Sequence, residues 1–317
     1  MEHYVTLFDS LFLPQGLALH MSMEKNAGDY TLWVLCVDDE TYDVLTTIGL
    51  PNVRLLQLSC LELDELKMIK GNRTLREYCW TLTPFAPRFV FEAETSVSRV
   101  TYVDADMWFR KNPEPILREF NISKKNVLIT DHSYAPEYDQ SASSGQYCVQ
   151  FMTFSRNGGE VVRKWWEKKC VEWCYARKED GKFGDQKYLD TWPEIFVEDV
   201  HVLTNKELIL APWNATRFPY GNACLWHFHS LRIISYKKVI SVIFGDYPLP
   251  KSTRINIYKP YIEDIQKAID LLLSHNIQVR SQSKPTSYDK IKKGLIGFYD
   301  QLWRVNLNYH CILNYKF

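Results

Sequence analysis

Short apolar runs of strand character alternate with segments of helical spacing from the beginning of the chain. His3 to Phe8 reads as a strand, and Leu11 to Met23 carries apolar residues at helical intervals. Tyr30 to Val37 is a β-rich buried run, and Asp38-Asp39-Glu40 behind it supplies an acidic helix start. Asn52 to Leu58 predicts another short strand. Leu61 to Glu94 predicts mainly helix, interrupted at Pro84 and Pro87. Arg99-Val100-Thr101-Tyr102-Val103 then forms a strand that delivers Asp104 at its end. Such alternation predicts an α/β protein with helices flanking a mainly parallel central sheet. Ligands of these sheets gather at the carboxyl ends of the strands, which is where to look for chemistry.

Beyond residue 120 the alternation is less regular. Strands are expected near Asn126 to Thr130, Tyr147 to Phe154 and Glu198 to Leu203, with a helix from about Gly158 to Arg177 between the last two. Val162, Trp166, Cys170 and Trp173 make one stripe on that helix and read as core. The character changes again after Ser230. A soft boundary near residue 235 divides a region 1–235 from an extension 236–317.

The chain has 317 residues, 46% hydrophobic and 14% aromatic, which fits a well-packed globular protein and excludes intrinsic disorder. Its 38 basic and 38 acidic residues balance, so the basic excess of a dedicated nucleic-acid binder is missing. The balance is a cancellation. Residues 1–229 hold 24 basic against 32 acidic side chains, and residues 230–317 hold 14 against 6, so the two parts carry −8 and +8. The eight cysteines are scattered without a Cys-x-x-Cys pair and read as reduced thiols of a cytoplasmic protein. Met1-Glu2-His3 runs directly into the first strand pattern with no basic, apolar leader, and no apolar stretch approaches the roughly 18 residues of a membrane span.

Three segments carry candidate chemistry. In Tyr102-Val103-Asp104-Ala105-Asp106-Met107-Trp108 an apolar strand ends in two carboxylates two residues apart, which a turn can aim at one divalent cation; two solvated turn acids are the plain alternative. Leu225-Trp226-His227-Phe228-His229 places two histidines at strand-alternation spacing among aromatics, where a histidine satisfied within the core is equally ordinary. A carboxylate pair plus one imidazole suits manganese. In Phe183-Gly184-Asp185-Gln186-Lys187-Tyr188, Gly184 frees a turn and Asp185 can cap a helix.

Taken in order, these segments, with Tyr4-Val5-Thr6-Leu7-Phe8-Asp9-Ser10 and Ala211-Pro212-Trp213-Asn214, resemble those of the family-8 glycosyltransferases and an uncharacterised bacterial branch related to them, over roughly residues 3 to 232. The resemblance implies the A-type glycosyltransferase fold, a Rossmann-like mixed central sheet flanked by helices, followed here by a mainly helical C-terminal extension. It implies that 1–235 is the nucleotide-sugar-binding catalytic domain. Asp104, Asp106 and His227 would then hold Mn2+ (or Mg2+) on the donor diphosphate. Thr6, Leu7, Phe8 and Asp9, with Asp38, would line the nucleoside pocket, and Ala105 and His229 would border the donor. Asp185 and Gln186 would stand at the reacting carbon of the sugar, and Arg88 is a candidate partner of a phosphate or of Asp104. The implied partners are a nucleotide-sugar donor, UDP-linked, and a glycan or lipid-linked saccharide acceptor, with retention of configuration. Two departures stand out. Cys148-Val149-Gln150 replaces the Asn-x-Gly of the branch, and Ser230 stands where a glycine precedes a phosphate-binding lysine, leaving Arg232 as a substitute. A catalytically impaired sugar-nucleotide or glycan binder, and a haloacid-dehalogenase-type phosphatase, remain the alternative readings. The basic, aromatic tail (Lys290, Lys292, Lys293, Trp303, Arg304, Tyr309, Tyr315, Lys316, Phe317) predicts peripheral contact with the inner face of a membrane.

Overall fold

The computed structural model describes residues 1–219, 221–235 and 239–282, together with two backbone strands further on. Three parallel strands open the main sheet: β1 (Glu2–Phe8), β2 (Tyr30–Cys36) and β3 (Val53–Gln57), joined by the helices Leu13–Asn26 and Asp39–Ile48. β4 (Arg99–Val103) pairs in parallel with the other edge of β1, Tyr4 opposite Thr101 and Val5 opposite Tyr102. The chain leaves this sheet for β5 (Met107–Phe109) and returns in β6 (Val127–Asp131) and β7 (Tyr147–Ser155), with β8 (Val200–Val202) last. β7 runs antiparallel to both β4 and β6, giving the order β3-β2-β1-β4-β7-β6-β8. β9 (Ile209–Leu210) and β10 (Leu225–His227) join β5 in a small sheet, order β5-β10-β9. β11 (Arg232–Ser235), β12 (Val239–Ile243), β13 (Leu302–Asn306) and β14 (His310–Ile312) form an antiparallel sheet.

Strand alternation explains why the first strands are apolar throughout. Tyr4, Phe8, Leu32, Val34 and Cys36 face one core, shared with the Leu13–Asn26 and Lys259–Ser274 helices. Val5, Leu7, Trp33 and Leu35 face the opposite one, filled by Leu82, Phe85 and Phe89. Both faces are covered, so no polar face survives to betray the strand period. Gly16 lets the first helix cross the end of β1, since a β-carbon there would lie 2.4 Å from the Phe8 ring.

Some expectations need correction. Pro87 interrupts nothing, because it lies in the first turn of the Phe85–Ala93 helix, where an amide has no intrahelical acceptor. The tryptophan-rich helix spans only Glu160–Glu172; its Val162, Trp166 and Cys170 are fully buried, as the stripe requires. Cys60 is exposed, whereas Cys36, Cys148, Cys170, Cys174 and Cys224 are buried free thiols. Residue 235 lies inside a β-hairpin, with Ile233 paired to Val242, and Phe228 stacks on Tyr261 with ring centroids 3.5 Å apart. The side chains invoked for membrane contact, from Lys290 onward, lie outside the described residues. Among the described residues no helix is long and apolar enough to cross a membrane.

Candidate functional site

In the main sheet the chain moves from β1 to β2 on one side and reaches β4 on the other, so a crevice opens at the carboxyl ends of β1 and β4. Asp104 follows β4 directly. Its N–H donates to Gln150 O in β7 (3.2 Å), extending the ladder by one rung, and Met107 N–H donates to Asp104 O (3.1 Å), closing a tight turn around the buried Ala105. That turn projects Asp104 and Asp106. The antiparallel pairing of β5 with β10 sets Met107 opposite His227, and Phe228 N–H donates to Asp106 O (2.9 Å). Two segments more than a hundred residues apart thereby bring the imidazole onto the carboxylates. His227 Nε2 lies 3.1 Å from Asp106 Oδ1 and 3.6 Å from Asp104 Oδ2, and one ligand atom from each residue falls within 4.8 Å of the others.

The carboxylates remain reachable from solvent, 23% and 20% exposed, while His227 is 6% exposed, as expected of ligands in the wall of a cleft. Burial raises the Asp104 carboxyl from its ordinary value against the pull of His227, and the charge of Asp106 adds to the rise. Burial also acts on Asp106, but His227 outweighs it and holds that carboxyl low. On His227 itself burial is overcome by Asp106, which holds the ring well above its ordinary value. Two carboxylates thus converge on one positive charge. A hard or borderline divalent cation fits this donor set, because the oxygens and one imidazole nitrogen match Mn2+ or Mg2+; the buried Cys148 thiol, which His132 and His227 draw down to about 7 against its burial, stands beside His227 outside the three-residue cluster.

The other expected residues are distributed around this centre. Asp9 directly follows β1, and its carboxyl is raised by burial and by Asp38; its Oδ1 is buried without a hydrogen-bond partner. Asp38 caps the Asp39–Ile48 helix through Thr41 N–H (2.8 Å) and also accepts from Ser10 N–H and Oγ (3.1 and 2.9 Å). Those bonds outweigh burial and keep Asp38 ionised. Thr6, Leu7 and Phe8 are buried in β1, with Thr6 Oγ1 unpartnered. Asp185 is 2% exposed, and burial, reinforced by Asp104, pushes its carboxyl up to about 8. Gly184 before it adopts φ +54°, and a β-carbon there would meet Trp80 at 3.3 Å. Gln186 Nε2 donates to Ser144 O (2.6 Å). His229 is exposed and packs edge-on against Trp213, with centroids 5.3 Å apart.

Arg88 does not join them. Its guanidinium is bound by Glu92 (2.7 Å) and approaches Glu167 (3.8 Å), because the Phe85–Ala93 helix directs it toward Glu160–Glu172. Arg76 occupies a better place: burial and neighbouring Arg232 lower its pKa, and its charge is felt at His229. Gln150, marked in the sequence only as a departure from the resembling branch, is a 1% exposed amide whose Oε1 lies 2.8 Å from His227 Nδ1. A polar residue in a strand buried from Tyr147 to Phe154 must find a partner, which was the available signal. Tyr102 O–H donates to Asp104 Oδ1 (2.8 Å). Trp213 Nε1–H and Asn214 Nδ2–H both donate to His132 O (2.8 and 3.0 Å), so the Ala211–Asn214 segment braces the wall behind His227.

No family model matches the chain. It is similar to two Bacillus subtilis (strain 168) proteins, the uncharacterized proteins YfnF (27% identical, covering 86% of this chain and 93% of YfnF) and YfnD (26% identical, covering 86% and 91%). Among solved structures it is similar to the galactosyltransferase LgtC, bound there to donor and acceptor sugar analogues, with a TM-score of 0.53 at 11% identity over 91% of this chain and 99% of LgtC. The bifunctional glycosyltransferase WbbM gives a TM-score of 0.50 at 13% identity over 85% of this chain and 51% of WbbM. Together with the strand order these likenesses establish the A-type glycosyltransferase fold, the expected mixed sheet flanked by helices.

Proposed function

We propose that the chain transfers a glycosyl group from a nucleotide-sugar donor, a UDP-sugar, to a hydroxyl of a glycan or lipid-linked saccharide acceptor, with retention of configuration. The observation that carries this reading is the convergence of Asp104, Asp106 and His227 in the crevice between the ends of β1 and β4 of this fold. These three residues would hold Mn2+ or Mg2+. When bound, the cation supplies Lewis-acid stabilisation of the charge that develops on the departing diphosphate.

The protein groups divide the remaining work. Asp9, at the end of β1 next to Asp38, has an unsatisfied Oδ1 that suits a nucleoside donor group, whereas Asp38 is committed to Ser10 and Thr41 and shapes the pocket from behind. Arg76 and Arg232 bring the positive charge that a diphosphate needs and take the place of the absent lysine. Asp185, protonated at neutral pH, can donate to a sugar oxygen as well as accept. Gln186 is a neutral amide held by Ser144 and a poor nucleophile, which favours attack from the face of the leaving group, a phosphate oxygen taking the acceptor's proton.

The test is a nucleotide-release screen over a panel of sugar nucleotides with Mn2+, Mg2+ or chelator. Release is expected with a UDP-sugar and metal, falling about a hundredfold or more in Asp106→Ala. Equal turnover in the variant, or full turnover in chelator, would remove the metal reading. An inverted anomeric centre in the product, seen by NMR, would remove retention.

A further inference from the structure

Gln150 stands where the resembling branch has glycine, and the fold gives it two attachments to the metal cluster. Its carbonyl oxygen accepts the Asp104 N–H (3.2 Å) and its side-chain Oε1 faces His227 Nδ1 (2.8 Å). One residue of β7 is thereby fastened to the end of β4 and to the end of β10, the two elements that supply the ligands. The contact is enclosed, since Gln150 is 1% exposed and His227 is buried, and the buried Cys148 thiol is a further side-chain neighbour of the ring.

The chemistry follows from the donor inventory. An amide oxygen can only accept, so Nδ1 must carry a proton for this hydrogen bond to exist. A cation bound at Nε2 would take the place of one proton of the charged ring described above, and the neutral imidazole that results has one proton to place. With it on Nδ1, the lone pair lies on Nε2, the atom that faces Asp106 Oδ1 and Asp104 Oδ2. With the amide oxygen toward the ring, the other tautomer would set two acceptors against each other at 2.8 Å and turn an N–H toward the place a cation would take; the acceptor-only carboxylate of Gln150→Glu separates this from a turned amide. We propose that Gln150 is a positioning residue that fixes His227 as the Nδ1–H tautomer and thereby makes Nε2 a metal ligand, an inference that rests on the metal reading above. The Asn-x-Gly departure is then a gain of ligand support in this chain and not a sign of lost activity.

The experiment compares wild type, Gln150→Leu, Gln150→Glu and Asp106→Ala by Mn2+ titration followed with electron paramagnetic resonance, and by the hyperfine signature of a directly bound 14N. Leucine keeps the volume and removes the acceptor. Glutamate restores an acceptor-only oxygen. Wild type and Gln150→Glu are expected to show the nitrogen signature, and Gln150→Leu to lose it and bind Mn2+ about ten- to a hundredfold more weakly, the usual effect of removing the group that orients a metal-bound histidine. Thermal unfolding of each variant identifies any that fails to fold, and the glutamate variant then carries the comparison: loss of the signature in folded Gln150→Glu overturns the proposal. Unchanged affinity and signature in Gln150→Leu also overturn it while leaving the metal site intact. Wild-type Mn2+ binding that is absent, or is unaffected in Asp106→Ala, overturns the metal site itself.

Discussion

At the scale of single residues, the site contains acids in opposite states. Asp106 is held ionised against its burial by His227, while Asp185 is pushed by burial and by Asp104 from 3.8 up to about 8. The second shift has a consequence for stability. Between about pH 4 and pH 8 the unfolded chain has released the Asp185 proton and the folded chain still holds it, so this residue makes the fold less stable as pH rises through that window. Asp185→Asn has no such proton. Its stability relative to wild type, from urea unfolding without metal, should therefore climb from pH 4 to pH 8 by up to about 1.4 kcal/mol per pH unit and then level off. A pH-independent difference would mean that Asp185 is ionised in the fold. The grouping of the Asp-x-Asp pair with His227 was legible in the sequence, because their chemistry is carried by residue type beside strand ends. Arg88 was misplaced, because distance along a helix does not say which face a side chain takes.

At the scale of elements, the turn after β4 is held from both ends of the chain. Trp108, two residues past Asp106, donates its indole N–H to Asp264 Oδ2 (3.1 Å) on the Lys259–Ser274 helix, and Lys25 and Lys267 bind the same carboxylate (3.0 and 2.8 Å). The lysines are more than half exposed and can return to water if Asp264 is lost, whereas the half-buried Trp108 loses the acceptor of its indole N–H. Asp264→Ala is expected to cost about 1–3 kcal/mol in chemical denaturation and to weaken Mn2+ binding, with Asp264→Asn, which can still accept from Trp108, recovering most of both. At the loop before Asp185, Gly184→Ala should cost about 1–2 kcal/mol through its left-handed backbone, read from the denaturation midpoint. The strands and most helices were legible from periodicity. Their ends were less so: Pro87 stays inside a helix and the tryptophan helix stops at Glu172, since proline position within a turn and close approach to other segments settle such boundaries.

For the whole molecule, residues on the two sides of position 235 share one core. Tyr258, Tyr261 and Ile265 pack with Leu17, Leu19 and Trp226, and Tyr261 covers Phe228, the neighbour of the proposed ligand His227. Removing residues 236–317 would uncover this surface and leave β11 without β12. The truncated chain is expected to lose cooperative thermal unfolding, whereas a sharp transition near the wild-type temperature would show that 1–235 folds alone. The sequence by itself determined the α/β class, the strand that delivers Asp104 and the residue types of a cation site, because short-range periodicity and side-chain chemistry are local properties. Only the tertiary structure decided that β5 and β10 pair so that His227 meets the two aspartates, that Arg76 and not Arg88 comes within reach of His229, and that Gln150 Oε1 lies beside the His227 ring. Each of these depends on which distant strands become neighbours, and that is set by the packing of both sheet faces together, not by any segment alone.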